Sequence, residues 1–444
     1  MPPNKTSTSV KESAIGEKDH VSGTPPAKRS RTLAAPFDES LPRLDKIPDA
    51  LHFFQNHVAT RQPCIVTTPG TNAAIITNGG NNNNNNKTPI KPWPSLTELQ
   101  GILGDCPIQV EQRPSTQQTF GQGRAAEFLT NMTFSDFVQQ PKDKRHLLYL
   151  STQAASSNSD DEKEDDRYAQ YSCLTQRLVA QGYIPPHLDQ LAGNLQLSSC
   201  HLWMGGGQGS CSGLHHDFHD NFYWIQAGRK RLYLYPPNSP IPVHGQIEKV
   251  HAVNGLISYV SRPTRADGVP WALLRESENT VGENENDDDD DEDEVVIGKG
   301  FDYQSDDEEN NDIDSSRDDF EELGEEEQDT DEVDFGKDVD AVADEEQKPA
   351  ATRPPDHFSP VNLDSPTLYE DYPVMRECEP IIVELTAGDI LYLPASWFHC
   401  VWSFADTDDF HIAVNYWYHV PDQLGSCENP YKDDFWKKQM ATKS

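Results

Sequence analysis

Short apolar runs, broken by polar, glycine-rich or proline-rich turns, carry most of the hydrophobic residues of this chain. Long helical periodicities are scarce. Pro63–Thr67 reads as a short buried strand, and Leu195–Met204 and Phe222–Tyr235 alternate or run apolar as sheet strands do. Lys249–Tyr259 is strand-like and is expected to belong to the same barrel, and Ile381–Leu385 resumes the sheet. Helical spacing is confined to short stretches. Ile47, Leu51, Phe54 and Val58 predict one helix, and Ser95–Leu103 another, with Ser95 as N-cap and Glu98 three residues on. Ser135–Val138 predicts a third short helix, Leu174–Leu191 a mixture of helix and turn, and Tyr431–Met440 a terminal helix able to pair two chains. Gly205–Gly209 is expected to connect strands. No Lys-Ser/Thr pair follows it, so a phosphate loop is excluded.

Other stretches have too little apolar content to build a core. Residues 1–38 are polar and charged, with Lys28–Arg31 as a candidate nuclear import signal. Asn81–Asn86 is a homopolymeric run expected to be a surface loop, and Ser156–Arg167 is a polar, acidic loop. Residues 276–353 hold the nearly unbroken acidic run Asp287–Glu294 and a second block, Glu325–Glu327. Like charges repel and are expected to leave this insertion disordered. The expected organisation is a tail over 1–38, one domain formed by 39–275 and 354–440, and the acidic insertion between its halves.

The 444 residues carry a net charge of −38, which argues against a nucleic-acid binder and against attraction to anionic lipid. Eight cysteines without a Cys-x-x-Cys pair disfavour a zinc ribbon or a disulfide scaffold. The N-terminus has no apolar signal-like segment, and no apolar run is long enough to span a membrane. Nucleus or cytoplasm, or both, is the expected location.

The chemistry concentrates in two stretches, Ser212–Asp217 with Asn221 and Gly228–Pro237 behind it, and Gly388–His399. His215 and Asp217 are two apart, so on a strand their side chains share a face and can grip one ion. His399 arrives from a distant strand and would complete a facial two-histidine, one-carboxylate site for Fe(II). His215-His-Asp-Phe-His-Asp220 offers several pairs. Leu214, Asn221 and the spacing to Lys230 favour His215 with Asp217, leaving Asp220 as the alternative carboxylate. In that register His216 faces away from the ion and His219 lies at the rim, while the side chain of Cys400 points away from that of His399.

These residues resemble the JmjC family of the cupin superfamily, the 2-oxoglutarate-dependent oxygenases. Ser212, His215, Asp217, Asn221, Lys230, Gly388, Asp389, Pro394, Trp397 and His399 fill its pattern. Leu148-Tyr149-Leu150 looks like its Tyr-Leu strand and His411–Tyr418 like its closing strand. The resemblance implies a mainly β fold, a double-stranded β-helix (jelly-roll, cupin) barrel with flanking helices. It implies Fe(II), 2-oxoglutarate and O2, with His215, Asp217 and His399 as metal ligands. Lys230 would take the distal carboxylate of 2-oxoglutarate, Tyr149 and Ser212 would donate hydroxyls, and Asn221 and Asn415 would hold ligands and cosubstrate in place. A lysine on an apolar strand supports this, because a buried ammonium without a partner is costly.

The nearest likeness is to single-domain protein hydroxylases, which implies hydroxylation of a side chain of a protein substrate with release of succinate and CO2. A basic partner such as a histone or a ribosomal or translation protein would suit the acidic insertion. A histone lysine demethylase would use the same chemistry, but the chain lacks recognisable zinc or reader modules. A zinc cupin isomerase or hydrolase would leave Lys230 and Ser212 without a role. A non-catalytic acidic histone-binding scaffold would bind through residues 276–353 independently of the metal site.

Overall fold

The computed structural model describes residues 41–67, 90–113, 119–121, 128–151, 170–274, 354–406 and 410–441. The N-terminal tail with Lys28–Arg31, the asparagine run, the Ser156–Arg167 loop and the acidic insertion lie outside these residues.

Two antiparallel sheets face each other. The strands are β1 (Arg43–Leu44), β2 (Cys64–Thr67), β3 (Pro107–Gln112), β4 (Leu129–Thr133), β5 (Leu148–Leu150), β6 (Leu197–Gly206), β7 (Gln208–Cys211), β8 (Asp220–Ala227) and β9 (Arg229–Tyr235). They continue with β10 (Ile247–Val250), β11 (Ile257–Tyr259), β12 (Ile381–Thr386), β13 (Asp389–Leu393), β14 (Phe398–Phe404) and β15 (Phe410–Tyr418). The larger sheet runs β1-β2-β13-β8-β15-β6-β5-β3-β4 and the smaller β12-β9-β14-β7. Within the larger sheet β1 pairs with β2 in parallel, and Tyr171 makes an isolated parallel bridge to Cys200 of β6.

Consecutive strands alternate between the sheets: β6/β7, β8/β9, β12/β13 and β14/β15 each put one strand in either layer. This is the winding of a double-stranded β-helix. Three of the corners carry a glycine with positive φ, at Gly207, Gly228 and Gly388. At Gly228 a Cβ would stand 2.5 Å from the Phe404 carbonyl oxygen and 2.8 Å from His411 Cβ, so the corner has room for glycine alone.

Period-two alternation decides what each strand shows the interior. Tyr223, Ile225, Leu232, Leu234, Leu391, Leu393 and Ala413 form a core between the sheets. The opposite faces of the large sheet, including Phe222, Trp224, Ile412, Val414 and Tyr416, pack against the helices. The helix Leu96–Leu103 starts with the expected capping box between Ser95 and Glu98, and Phe134–Val138 has one between Thr133 and Asp136. Cys173–Ala180 and Asp189–Ala192 are the helical parts of the mixed segment.

Two expectations need correction. The helix through Leu51 begins at Ala50 and turns into a π turn over Phe54–Val58, so its buried residues are Phe53, Phe54, His57 and Val58, and Leu51 is 53% exposed. The widened turn changes the face that points inward. Lys249–Tyr259 does not join the barrel. It folds back through Gly255 (φ 72) into a separate two-stranded ribbon of β10 and β11, and β10 is exposed along its whole length. The C-terminal helix Phe435–Ala441 docks on its own chain, where Trp436 stacks on His419 and donates to the Asp267 carbonyl.

Candidate metal and anion site

His215 and His399 meet as a bridge between chain segments. His399 N–H donates to His215 O (2.7 Å) and His215 N–H to His399 O (3.0 Å), so the rings sit side by side with centroids 4.3 Å apart. Each ring donates from Nδ1 to a backbone carbonyl, His215 to Gly213 O (3.1 Å) and His399 to Trp397 O (2.9 Å). A carbonyl only accepts, so Nδ1 carries a proton in both rings, and Nε2 is the nitrogen left to bind a metal. Those nitrogens face Asp217, at 3.9 Å from His215 and 3.6 Å from His399, and the three ligand atoms lie within 4.8 Å of one another. Burial, then the neighbouring His399, holds the His215 pKa well below its ordinary value, so the ring stays neutral. Two imidazoles and a carboxylate converging from one side are a donor set that fits a divalent metal such as Fe(II). His399 is buried, while His215 and Asp217 keep part of their surface open.

The turn that delivers His399 is fastened to the segment carrying Asp217. Ser396, with φ 69, donates its N–H to Asp217 O and accepts from Ile257 N, both at 2.8 Å, and Ala395 N–H donates to Asp220 Oδ1. Asp220 is wholly buried, paired with Arg61 and bonded by the Tyr392 hydroxyl. It is thereby committed to this fastening, which leaves Asp217 as the carboxylate of the cluster. His216 points away and donates or accepts at the Tyr259 hydroxyl (2.7 Å), with burial pulling its pKa down to about 3. His219 faces Ser198 and stacks on Trp417 rather than standing free. Cys400 lies on the opposite face of its strand, against Cys211.

A second cluster is built around Lys230 on β9. The side chain is fully buried, and its Nζ donates to Ser403 Oγ (2.8 Å) and to His411 Nδ1 (3.0 Å). The rings of Tyr149 and Tyr223, whose hydroxyls are hydrogen-bonded to each other, lie 5.8 and 6.0 Å from Nζ. Both direct partners are neutral, and desolvation pulls the Lys230 pKa from 10.5 down to about 7. Burial without a carboxylate partner is costly for an ammonium, and a bound anion would offset that cost.

The residues expected near it divide. Tyr149 is brought to Lys230. Ser212 accepts from Val401 N–H (3.2 Å) and donates to Gly213 O (3.3 Å), so its hydroxyl is engaged by backbone. Asn221 and Asn415 face the barrel interior. Asn415 Oδ1 accepts from Trp203, while Asn415 Nδ2 and Asn221 Oδ1 are buried without a partner among the described residues. An unpaired donor and an unpaired acceptor on the same face of two adjacent strands fit a polar ligand held there.

Sequence reasoning missed Ser403, His411, Tyr223 and Phe358. The first two were legible in principle: Ser403 is four residues beyond His399 on one strand face, and His411 shares a face with Asn415. Phe358 had no such signal. It lies just beyond the acidic insertion, and its ring stacks on His215 at 4.6 Å and 7°.

The cupin-like domain family matches residues 50–423. JmjC domain-containing protein 4 of Schizosaccharomyces pombe is 30% identical over 381 residues, which cover 77% of this chain and 79% of that protein. Shorter stretches match tRNA wybutosine-synthesizing protein 5, at 36% identity over 72 residues for Mus musculus (16% of this chain, 21% of that protein). For Homo sapiens the figures are 38% over 64 residues, 14% and 19%. On the span of the first two matches, this chain belongs to the JmjC family of cupin-like proteins.

Proposed function

We propose that this chain is an Fe(II)- and 2-oxoglutarate-dependent oxygenase that hydroxylates a side chain of a protein substrate, releasing succinate and CO2. The observation that carries this reading is Lys230: a fully buried ammonium with two neutral partners, in the same barrel as a His-Asp-His cluster. A metal site alone would suit many cupins, but a buried cation beside it calls for an anionic cosubstrate. Fe(II) held by His215, Asp217 and His399 would supply activation of O2, driven by oxidative decarboxylation of 2-oxoglutarate.

The chain's own residues would divide the remaining work. Lys230 holds the distal carboxylate, with the Tyr149–Tyr223 hydroxyl pair beside it. Asn415 Nδ2 and Asn221 Oδ1 offer a donor and an acceptor to the reacting ligands. The Nδ1 hydrogen bonds of His215 and His399 keep both Nε2 atoms aimed at the metal position. Phe358 closes over His215 and limits the approach of water.

A basic protein is the substrate class that the net charge of −38 supports, with the acidic insertion contributing attraction. The same charge weighs against RNA as a substrate. The test is incubation of the Fe(II)-loaded protein with 2-oxoglutarate and peptides from a cell extract, read by mass spectrometry. Gain of one oxygen atom on a peptide supports hydroxylation. Loss of a methylene unit would favour N-demethylation instead.

A further inference from the structure

Lys230 has three N–H bonds, and the fold engages two of them. One goes to Ser403 Oγ and the other to His411 Nδ1. His411 is itself wholly buried on β15, and its Nε2 lies 3.2 Å from Ser210 Oγ on β7. An ammonium can only donate, so His411 Nδ1 must accept, and the ring proton must sit on Nε2 and point at Ser210. The tautomer is fixed from both sides. The ring also packs closely against two glycines. A Cβ on Gly205 would lie 2.8 Å from His411 Cε1 and from Tyr149 Cδ2, and one on Gly228 would lie 2.8 Å from His411 Cβ. Two glycines thus make the slot in which this imidazole stands against the lysine.

Resting on the function proposed above, we infer that His411 is a positioning residue that keeps Lys230 charged and aimed for the distal carboxylate of 2-oxoglutarate. It does so by supplying a neutral acceptor where a carboxylate would have cancelled the charge. An acidic partner in this slot would have formed an internal ion pair and competed with the cosubstrate. A hydrocarbon would have left the ammonium with Ser403 alone. Imidazole satisfies one N–H and leaves the net charge for the ligand, with the third N–H available to it.

The groups facing Lys230 are His411 from β15, Ser403 from β14, and Tyr149 and Tyr223 from β5 and β8. No carboxylate among the described residues forms an ion pair with it. Burial, then the charge on Lys230, keeps the pKa of His411 well below its ordinary value, so Lys230 is the group that titrates. Its pKa of about 7 in the unliganded protein makes cosubstrate affinity level at lower pH and falling above pH 7.

The experiment is calorimetric titration of 2-oxoglutarate into the full-length Mn(II)-loaded protein between pH 6 and 9, with metal content measured at each pH. Wild type is compared with His411→Leu and His411→Asn, which share the same branched side-chain skeleton and differ in that asparagine keeps an acceptor. His411→Leu is expected to weaken binding by about tenfold, the worth of one hydrogen bond to a charged group, and to move the break to lower pH. His411→Asn is expected to restore most of the affinity and to return the break toward that of wild type. Leucine and wild-type profiles that coincide would overturn the inference. So would an asparagine variant as weak as leucine, because the ring would then matter for shape alone. Wild-type protein that binds no 2-oxoglutarate at any pH would overturn the proposed function, and this inference with it.

Discussion

Arg61 grips Asp220 through both carboxylate oxygens, at 2.7 and 2.6 Å. Asp220 also binds the Tyr392 hydroxyl and the backbone N–H of Ala395, which belongs to the turn leading to His399. Two aspartates three residues apart therefore have different tasks: Asp217 faces the histidines, and Asp220 anchors the loop that positions one of them.

Substitution should separate these tasks. Asp217→Ala is expected to lose metal binding and turnover with thermal stability close to wild type in the metal-free state. Asp220→Ala strands a buried guanidinium and is expected to cost about 3–5 kcal/mol of stability. Denaturant unfolding of both metal-free variants, with metal content by elemental analysis, checks this. Full metal occupancy in Asp217→Ala would return the ligand role to another carboxylate.

Lys230→Met removes the cation and keeps most of the volume. Loss of a charge-assisted bond should weaken 2-oxoglutarate binding by about tenfold to a hundredfold. Equal apparent affinity in a titration of turnover against 2-oxoglutarate would remove this role from Lys230.

The lysine also predicts a proton linkage. Its folded-state pKa of about 7 lies below 10.5, so between these values the unfolded chain binds more protons than the native one. Stability of the unliganded protein should therefore rise with pH across that window. An anion that restores the ammonium reverses the effect locally. Binding of 2-oxoglutarate should take up close to one proton at pH 8 and close to none at pH 6. Calorimetry in buffers of different ionisation enthalpy reads this directly, and absence of uptake at pH 8 would contradict it.

Much of this was legible in the sequence because the barrel strands repeat with period two. Lys230 and His399 could be picked out from residue type and strand face, whereas His215 and Asp217, expected on a strand, lie in the segment between β7 and β8, where His215 makes only an isolated bridge. The failures have specific causes. Leu51 fitted a 3.6-residue period that a π turn then broke. Lys249–Tyr259 has strand composition, but composition does not say which sheet a strand joins, and Gly255 turns it back on itself. Ser212 carried the family's pattern, yet hydroxyl direction depends on the local backbone, which offers it both Val401 N–H and Gly213 O. Phe358 reaches His215 only through folding across the insertion, a contact that no local pattern encodes.

Gly205 tests the packing of the Lys230 cluster. A methyl group there would press on both Tyr149 and His411 at 2.8 Å. Gly205→Ala is expected to cost about 1–3 kcal/mol of stability as an overpacked core does, and to weaken 2-oxoglutarate binding as well. Unchanged cosubstrate affinity in a folded Gly205→Ala protein would show that the cluster tolerates displacement.

The acidic insertion lies between Leu274 and Pro354, and the residues after it are part of the site through Phe358. Deleting residues 280–350 and joining the ends with a Gly/Ser linker should leave metal binding and uncoupled 2-oxoglutarate consumption nearly intact. Affinity for a basic protein substrate should fall, and in the intact protein it should be salt-sensitive, because exposed charges are screened within about 10 Å at 0.1 M salt. Equal binding of a basic substrate by both forms at low salt would contradict this role.

His215, Asp217 and His399 are expected to hold iron for a 2-oxoglutarate-driven oxidation. The most direct measurement is succinate formed from 2-oxoglutarate under air, with and without Fe(II), by wild type and by Asp217→Ala. Fe(II)-dependent succinate is expected from wild type, and background levels from Asp217→Ala. Iron-loaded wild-type protein that forms no succinate, or Asp217→Ala that forms as much as wild type, would contradict this expectation.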